Sequence, residues 1–245
     1  MRRYLLKILA VASLSILSGQ VRAAETLILF MTETPIHASK SDSHPGLALE
    51  ITREVARRAG IELEERFVPW ARAVQSAEKT ENALIIPLSR TPSREMRFVW
   101  ISKIYNMEIG FISMEQTIDG MATARKLDLV GVWRATSMEE KLRSEGLTNI
   151  VAISDELALA RMLIKGRFQA WYGQFKMAKY SMQNETKSVR NKVRFSTPIE
   201  IDPVWIGGSL SLPVKSVDRL REAFTAMQHD GGINVIKNRY DFKPD

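Results

Sequence analysis

Hydrophobic and polar positions alternate along this chain in the order expected when strands pack against helices. Residues 26–31 form an apolar run of strand length. Leu47, Ile51 and Val55 then recur at every fourth position, which predicts an amphipathic helix that ends at Gly60. The pattern continues with a strand over 61–67, a helix opened by Pro69 and Trp70, and a buried strand over 83–86. Strands and helices that alternate with short connections predict an α/β lobe with a largely parallel sheet.

A second unit of the same kind follows. Its predicted elements are strands over 128–133, 149–153 and 167–172, a helix after the turn 134–137, a helix capped by Ser154 and closed by Gly166, and a helix that begins at Gln174. The chain returns through 193–201 and an extended segment over 204–212, and it ends in helices capped by Ser216 and spanning 233–240.

The chain is expected to cross between the two units near 109–114 and near 202–206. We therefore predict an α/β fold of two open sheets joined by two hinge crossings. Residues 24–111 and 205–245 would form the first lobe, and residues 112–204 the second.

The stretch 82–98, NALIIPLSRTPSREMRF, combines a predicted strand with polar chemistry. Its apolar run should be a buried strand that ends at Pro87, because proline has no backbone N–H to donate. Thr91 and Pro92 then predict the N-cap and the first residue of a helix.

This arrangement would bring Ser89, a helix N-terminus and Arg94 to one rim of the lobe. Backbone N–H groups, a hydroxyl and a guanidinium that converge form an anion site, and a carboxylate is the natural ligand. The alternative is a surface loop in which Arg94 and Arg97 are merely solvated.

The first 23 residues have the composition of a signal peptide. Arg2, Arg3 and Lys7 form a positive segment, and the apolar segment 8–17 is shorter than the roughly 20 residues needed to span a bilayer. We predict cleavage after Ala23 and a periplasmic location for the mature protein. The chain contains no cysteine, which excludes disulfides and a lipid-modified N-terminal cysteine.

The leader also accounts for much of the basic charge. It carries four of the 35 Lys and Arg residues and no acid, so the net charge falls from +7 to +3 without it. A charge this small and this evenly spread does not indicate a nucleic-acid partner.

Several of these stretches together resemble the periplasmic solute-binding proteins of family 3, which bind polar amino acids. PLSRTPSREMRF is similar to the family segment in which a Ser or Thr and an Arg hold the ligand carboxylate, which implies these roles for Ser89 and Arg94. We include Thr91 of the same segment among the candidate contacts. VPWARAV resembles the segment that places an aromatic face, here Trp70, against the ligand, and VGVWRATS resembles the turn that would place Thr136 across the cleft.

The resemblance also assigns the amine end of the ligand. Glu33 follows the first strand, where many members carry an acid near the amine. Gln174 aligns with an Asp that pairs with the ligand ammonium in amino-acid binders, and Gln169 stands where an Asp is usual inside the preceding strand. An amide compensates a buried ammonium poorly, so we expect a ligand with a carboxylate and a neutral or secondary-amine head, unless Glu33 supplies the charge.

The resemblance implies a monomeric binding protein that clamps a small carboxylate-bearing solute, an amino acid or a similar molecule, for uptake by an inner-membrane ABC permease. A sensor that presents its loaded lobes to a membrane partner is one alternative, and an enzyme like cyclohexadienyl dehydratase on the same fold is another. We expect no enzyme activity, because Glu33 is the one acid that the sequence places at the cleft. His37 and His44 are isolated in a polar loop, so we expect neither a metal site nor a cofactor.

Overall fold

The computed structural model describes residues 25–242, and the predicted signal peptide lies outside this range. The strands are β1 Glu25–Met31, β2 Ile61–Phe67, β3 Ala83–Ser89, β4 Val99–Met114, β5 Val130–Trp133, β6 Ile150–Ile153, β7 Ala170–Gln174, β8 Val193–Phe195 and β9 Glu200–Gly208. The helices are α1 Leu47–Arg58, α2 Trp70–Lys79, α3 Met121–Ala124, α4 Ser137–Ser144, α5 Glu156–Ile164, α6 Phe175–Ser181, α7 Lys187–Lys192, α8 Val214–His229 and α9 Gly232–Arg239.

These elements confirm the predicted α/β fold class. The strand order is β2-β1-β3-β9-β4-β7-β5-β6, with β8 paired to β4. The strands β2, β1 and β3 form one flank with α1, α2, α8 and α9, which we call the first lobe. The strands β7, β5 and β6 form the other flank with α3 to α7, which we call the second lobe.

The two expected sheets are hydrogen-bonded into one, because β4 and β9 run through both lobes. These antiparallel strands pair from Val99 with Gly208 to Ile109 with Glu200. Both expected crossings fall within them. The lobe boundaries that we predicted at 111/112 and 204/205 lie inside these strands, so that division remains our proposal.

Two helix caps differ from the prediction. Asp155, rather than Ser154, caps α5, because its carboxylate accepts hydrogen bonds from the N–H groups of Leu157 and Ala158. Ser216 lies inside α8, which Pro213 precedes, and its hydroxyl is bonded to Glu25 of β1. Ser216 therefore connects α8 to the first strand instead of capping the helix.

The apolar interior shows how closely the lobes pack. One cluster fills the face of the first lobe that α1, α8 and α9 cover. The other begins at α2 and continues without a break into the second lobe. Trp70 of α2 and Trp133 of β5 meet in this second cluster, with ring centroids 5.8 Å apart. Within residues 25–242, no helix is long and apolar enough to cross a membrane.

Candidate functional site

Strand β3 carries the predicted anion site to the edge of the first lobe, although it does not end where we expected. It continues through Pro87 to Ser89. Pairing with β1 stops at Ile85, and beyond that point β3 pairs with β9 alone, across a register shift between Ile85 and Leu88. The prediction that Pro87 ends the strand is wrong, because β3 continues past it. The strand tolerates the missing N–H of Pro87 because this residue lies at the register shift.

The segment after β3 is a series of turns rather than a helix. Arg94 donates its backbone N–H to Thr91 (3.0 Å), and Arg97 donates to Arg94 (3.0 Å). The half-buried Thr91 uses its hydroxyl to bond Ser93 at 2.9 Å. The predicted N-cap is therefore wrong: these bonds close turns, and no helix lies between β3 and β4. An anion site here would depend on side chains and not on a helix N-terminus.

Arg94 is buried at the contact between the lobes, and 2% of its side chain is exposed. Its Nη1 donates to the Ser89 carbonyl (3.2 Å), and its Nη2 donates to the Ala135 carbonyl of the second lobe (3.3 Å). The Glu140 carboxylate lies 3.5 Å from Nη2 and is 42% exposed. Burial lowers the pKa of Arg94, and the charges of Glu140 and Asp202 oppose this effect. The alternative of a solvated Arg94 is excluded.

Ser89 connects this guanidinium to an acid that the sequence analysis did not place at the cleft. Its hydroxyl donates to Oδ2 of Asp202 in β9 at 2.5 Å. Ser137, at the start of α4, donates to Ser89 Oγ (3.0 Å) and lies 3.4 Å from the same carboxylate oxygen. Burial raises the pKa of Asp202, while these hydroxyl groups and Arg94 act in the opposite direction. The one sequence signal for Asp202 was its position as the single acid in the predicted crossing 202–206.

Trp70 and Thr136 both lie at this contact. Trp70 is buried, and its Nε1 donates to the Ala135 carbonyl at 3.0 Å. Thr136 is the N-cap of α4, and its hydroxyl donates to the Trp133 carbonyl at 2.6 Å. The structure thus brings together Ser89, Arg94, Trp70 and Thr136, with Thr91 on the adjoining turn.

Gln174 belongs to a second contact between the lobes. It ends β7 and is 5% exposed, and its Oε1 lies 2.6 Å from Nε2 of His37. The other ring nitrogen of His37 lies 2.6 Å from the Tyr105 hydroxyl. Burial lowers the pKa of His37 to about 4, so the ring is neutral at pH 7. The expectation of an isolated loop histidine is wrong for His37.

The start of α1 holds His37 in this position. The N–H groups of Leu47 and Leu49 donate to the carbonyls of Ile36 and His37. Gly46 precedes the helix with φ 93°, and a Cβ there would lie 2.5 Å from the backbone of His37. Only glycine fits such a close approach without displacing the loop.

Two cavities adjoin this second contact. One of about 470 Å³ is lined by His37, Tyr105, Gln174, Lys176, Ile201 and Phe242, among others. Glu33 lines a different cavity, of about 790 Å³. Glu33 is exposed and accepts hydrogen bonds from Ser39 Oγ (3.1 Å) and the Lys40 N–H (3.2 Å). Glu33 thus lies apart from the Arg94 contact.

The remaining candidate residues are metal ligands and two arginines, Arg72 and Arg97. No group of three or more metal-ligating side chains occurs in the described part of the chain. Arg72 is exposed on α2. Arg97 pairs with Glu78 at the surface, its Nε 2.8 Å from the carboxylate.

Comparison with known proteins identifies the fold. No family model matches the chain, and no curated protein sequence matches it. A histidine kinase sensor domain with similarity to periplasmic binding proteins superimposes with a TM-score of 0.79 at 13% identity, covering 91% of this chain and 98% of that one.

Two amino-acid binders are also similar. The substrate-binding protein AbpA of an amino acid ABC transporter from Streptococcus pneumoniae, bound to L-arginine, gives a TM-score of 0.74 at 14% identity, over 88% of this chain and 94% of that one. An ancestral amino acid-binding protein, a precursor of cyclohexadienyl dehydratase, gives 0.73 at 14%, over 89% and 95%. At these identities the likeness establishes the fold and nothing finer. The chain has the fold of the type 2 periplasmic binding proteins.

Proposed function

We propose that this chain is a periplasmic binding protein that clamps a small carboxylate-bearing solute, an amino acid or a similar molecule, between its two lobes. One observation carries the proposal: the buried guanidinium of Arg94 faces two carbonyl groups and a half-exposed carboxylate at 3.5 Å. A buried cation is costly unless a close anion compensates it. A ligand carboxylate would supply that anion.

The carboxylate would take the place of the contacts that Arg94 makes to the second lobe. A guanidinium binds a carboxylate through two parallel N–H···O bonds, which carbonyl oxygens from different residues do not reproduce. The hydroxyls of Ser89 and Ser137 lie beside this position, and Trp70 would cover one side of the ligand. Bending of β4 and β9, the two strands shared by both lobes, would open and close the cleft.

Only the comparisons bear on the choice of a membrane partner. An ABC permease is the partner that we propose, in view of the likeness to substrate-binding proteins of amino acid transporters. A sensor role is the second candidate, because a histidine kinase sensor domain superimposes with a TM-score of 0.79. We further propose that the protein is a monomer without enzymatic activity. The signal peptide remains a prediction.

A thermal-shift screen of the purified protein tests the proposal. The panel contains the twenty amino acids, dicarboxylates, opines and short peptides. A ligand at 100 times its dissociation constant stabilises the protein by ~2.7 kcal/mol, which raises the melting temperature measurably. The Arg94→Ala variant is screened in parallel, and its response to the same compounds should disappear. Equal responses of both proteins would place the ligand elsewhere.

A further inference from the structure

Glu156 is a buried acid of the second lobe that the proposed site does not use. It is the first residue of α5, and 3% of it is exposed. Neither of its carboxyl oxygens has a hydrogen-bond partner among the described residues. A buried carboxylate without partners is far more costly than a buried carboxylic acid, so the interior favours the protonated, uncharged form.

The neighbouring Asp155 takes the groups of α5 that could stabilise a negative charge. Its carboxylate accepts from the N–H groups of Leu157 (2.9 Å) and Ala158 (3.3 Å), and it lies 3.4 Å from the guanidinium of Arg161. The end of the helix and its nearby cation therefore leave Glu156 uncompensated. Burial and, to a smaller extent, the charge of Asp155 raise the pKa of Glu156 to about 8.

The elements packed against α5 do not supply a cation for Glu156. These elements are β4, β5, β6, β7 and α6. The strands β5, β6 and β7 carry no charged side chain. The lysines of α6 lie 4.0 Å and 5.4 Å from the centroids of aromatic rings elsewhere. The charged residues of the other two elements are all exposed, namely Lys103 and Glu108 of β4, and Lys176 and Lys179 of α6.

The start of α5 is connected to the contact between the lobes through Trp133. The carbonyl of Ser154, two positions before Glu156, accepts a hydrogen bond from Nε1 of Trp133 at 3.3 Å. The ring of Trp133 lies 5.8 Å from the ring of Trp70 in the first lobe. Trp70 in turn donates to the Ala135 carbonyl of the second lobe at 3.0 Å. A displacement of the start of α5 would therefore disturb a residue that packs across the two lobes.

We propose that Glu156 is a pH-sensitive switch, whose ionisation at alkaline pH displaces the start of α5, loosens the contact of Trp133 with Trp70 and opens the lobes. The ionised group regains hydration only by leaving the interior, and the adjoining Ser154 moves with it. The uncharged group keeps the lobes closed at lower pH. This inference adds a regulation to the proposed binding site and rests on the lobe opening that the proposed function requires. Its test uses the protein without ligand.

Urea unfolding from about pH 5 to about pH 9 measures the titration of Glu156. The folded protein holds this proton up to about pH 8, whereas the unfolded chain releases it near the ordinary value of 4.5. The contribution of the protonated group to stability is thus complete below pH 4.5 and is lost as pH rises to about 8. Glu156→Gln keeps the shape of the side chain without the titration. The unfolding equilibrium constant of wild type divided by that of Glu156→Gln should rise about tenfold per pH unit in this window.

Glu222→Gln, which removes an exposed carboxylate of α8, is the matched control. The corresponding ratio for this variant should stay constant with pH. A constant ratio for Glu156→Gln as well would overturn the inference, because the buried group would then not hold its proton in the folded protein.

Small-angle X-ray scattering measures the opening of the lobes. The radius of gyration of the wild-type protein should increase as pH rises from 6.5 towards 9, while circular dichroism shows that the protein stays folded. The radius of Glu156→Gln should not change. A constant radius of folded wild-type protein overturns the switch, whether or not the variant folds, and an equal increase in both proteins assigns the opening to another group. Either result leaves the carboxylate clamp intact, because ligand binding to wild type and Arg94→Ala at neutral pH decides that proposal separately.

Discussion

The two polar contacts between the lobes differ in charge and in how completely their groups are paired. At one, a buried guanidinium and a buried carboxylate share Ser89 but make no ion pair with each other. At the other, His37, Tyr105 and Gln174 form a neutral chain in which both ring nitrogens have partners. A consistent assignment has the Tyr105 hydroxyl donate to Nδ1 and the Nε2–H donate to Gln174.

This difference suggests different roles for the two contacts. A neutral, fully paired network stabilises one arrangement of the chain and gains little by exchanging partners. A charged and incompletely paired network is stabilised when a ligand of complementary charge binds to it. We therefore assign recognition to the Arg94 contact and closure of the lobes to the His37 contact. The following predictions test that assignment, from the largest expected effect to the smallest.

Replacement of Arg94 should have the largest effect on binding. Loss of one partner from a desolvated charge pair typically costs about 2–5 kcal/mol, so Arg94→Ala should bind the best ligand of the screen roughly 30-fold to several thousand-fold more weakly. Arg94→Lys should recover only part of this loss, because lysine keeps the charge but not the planar fork. Titration calorimetry measures both, with Arg72→Ala as the exposed control. An Arg94→Ala affinity within threefold of wild type would break the assignment.

His37 should affect stability through pH. Its pKa is about 4 in the folded protein, against the ordinary histidine value of 6.5 that applies to the unfolded chain, so the unfolded chain takes up the proton first as pH falls. The contribution of neutral His37 is complete above pH 6.5 and is lost as pH falls from 6.5 to 4, by about 3 kcal/mol in all.

Urea unfolding at several pH values measures this effect. The free energy of unfolding of the wild-type protein minus that of His37→Gln should decrease as pH falls from 6.5 to 4. Taking this difference cancels the titration of the other groups. A constant difference would show that His37 is not the sensitive group.

Thr136 should affect stability and leave ligand affinity unchanged. It caps α4, and loss of an N-cap hydroxyl costs about 1 kcal/mol. Thr136→Ala should lower the free energy of unfolding by that amount, while ligand affinity stays within twofold. Thr186→Ala, which removes the cap of α7 on the surface, is the matched control. A tenfold loss of affinity in Thr136→Ala alone would show that this hydroxyl contacts the ligand.

Glu33 should have the smallest effect. It is exposed, and its hydrogen bonds stay within its own loop. Glu33→Gln should therefore change neither the affinity for an amino acid nor its preference over the matching hydroxy acid by more than twofold. A larger loss would assign the amine-binding role to Glu33.

The sequence by itself determined most of the elements and the residues on one side of the site. Periodicity is a local property, so the strand at 26–31, the helix ending before Gly60 and the helix after Trp70 could be read directly. Ser89 and Arg94 lie on one short stretch, and a predicted strand was enough to bring both to the rim.

Only the tertiary structure decided which polar groups are buried together. Ser89 meets Asp202 from 113 positions away, and His37 meets Gln174 from 137 positions away. Whether a carboxylate is buried depends on segments that are distant in sequence and pack over it. A local sequence pattern therefore cannot predict its burial. The same holds for the turns after β3: Thr91 and Pro92 favour a helix start locally, but the segment between β3 and β4 forms turns in the folded chain.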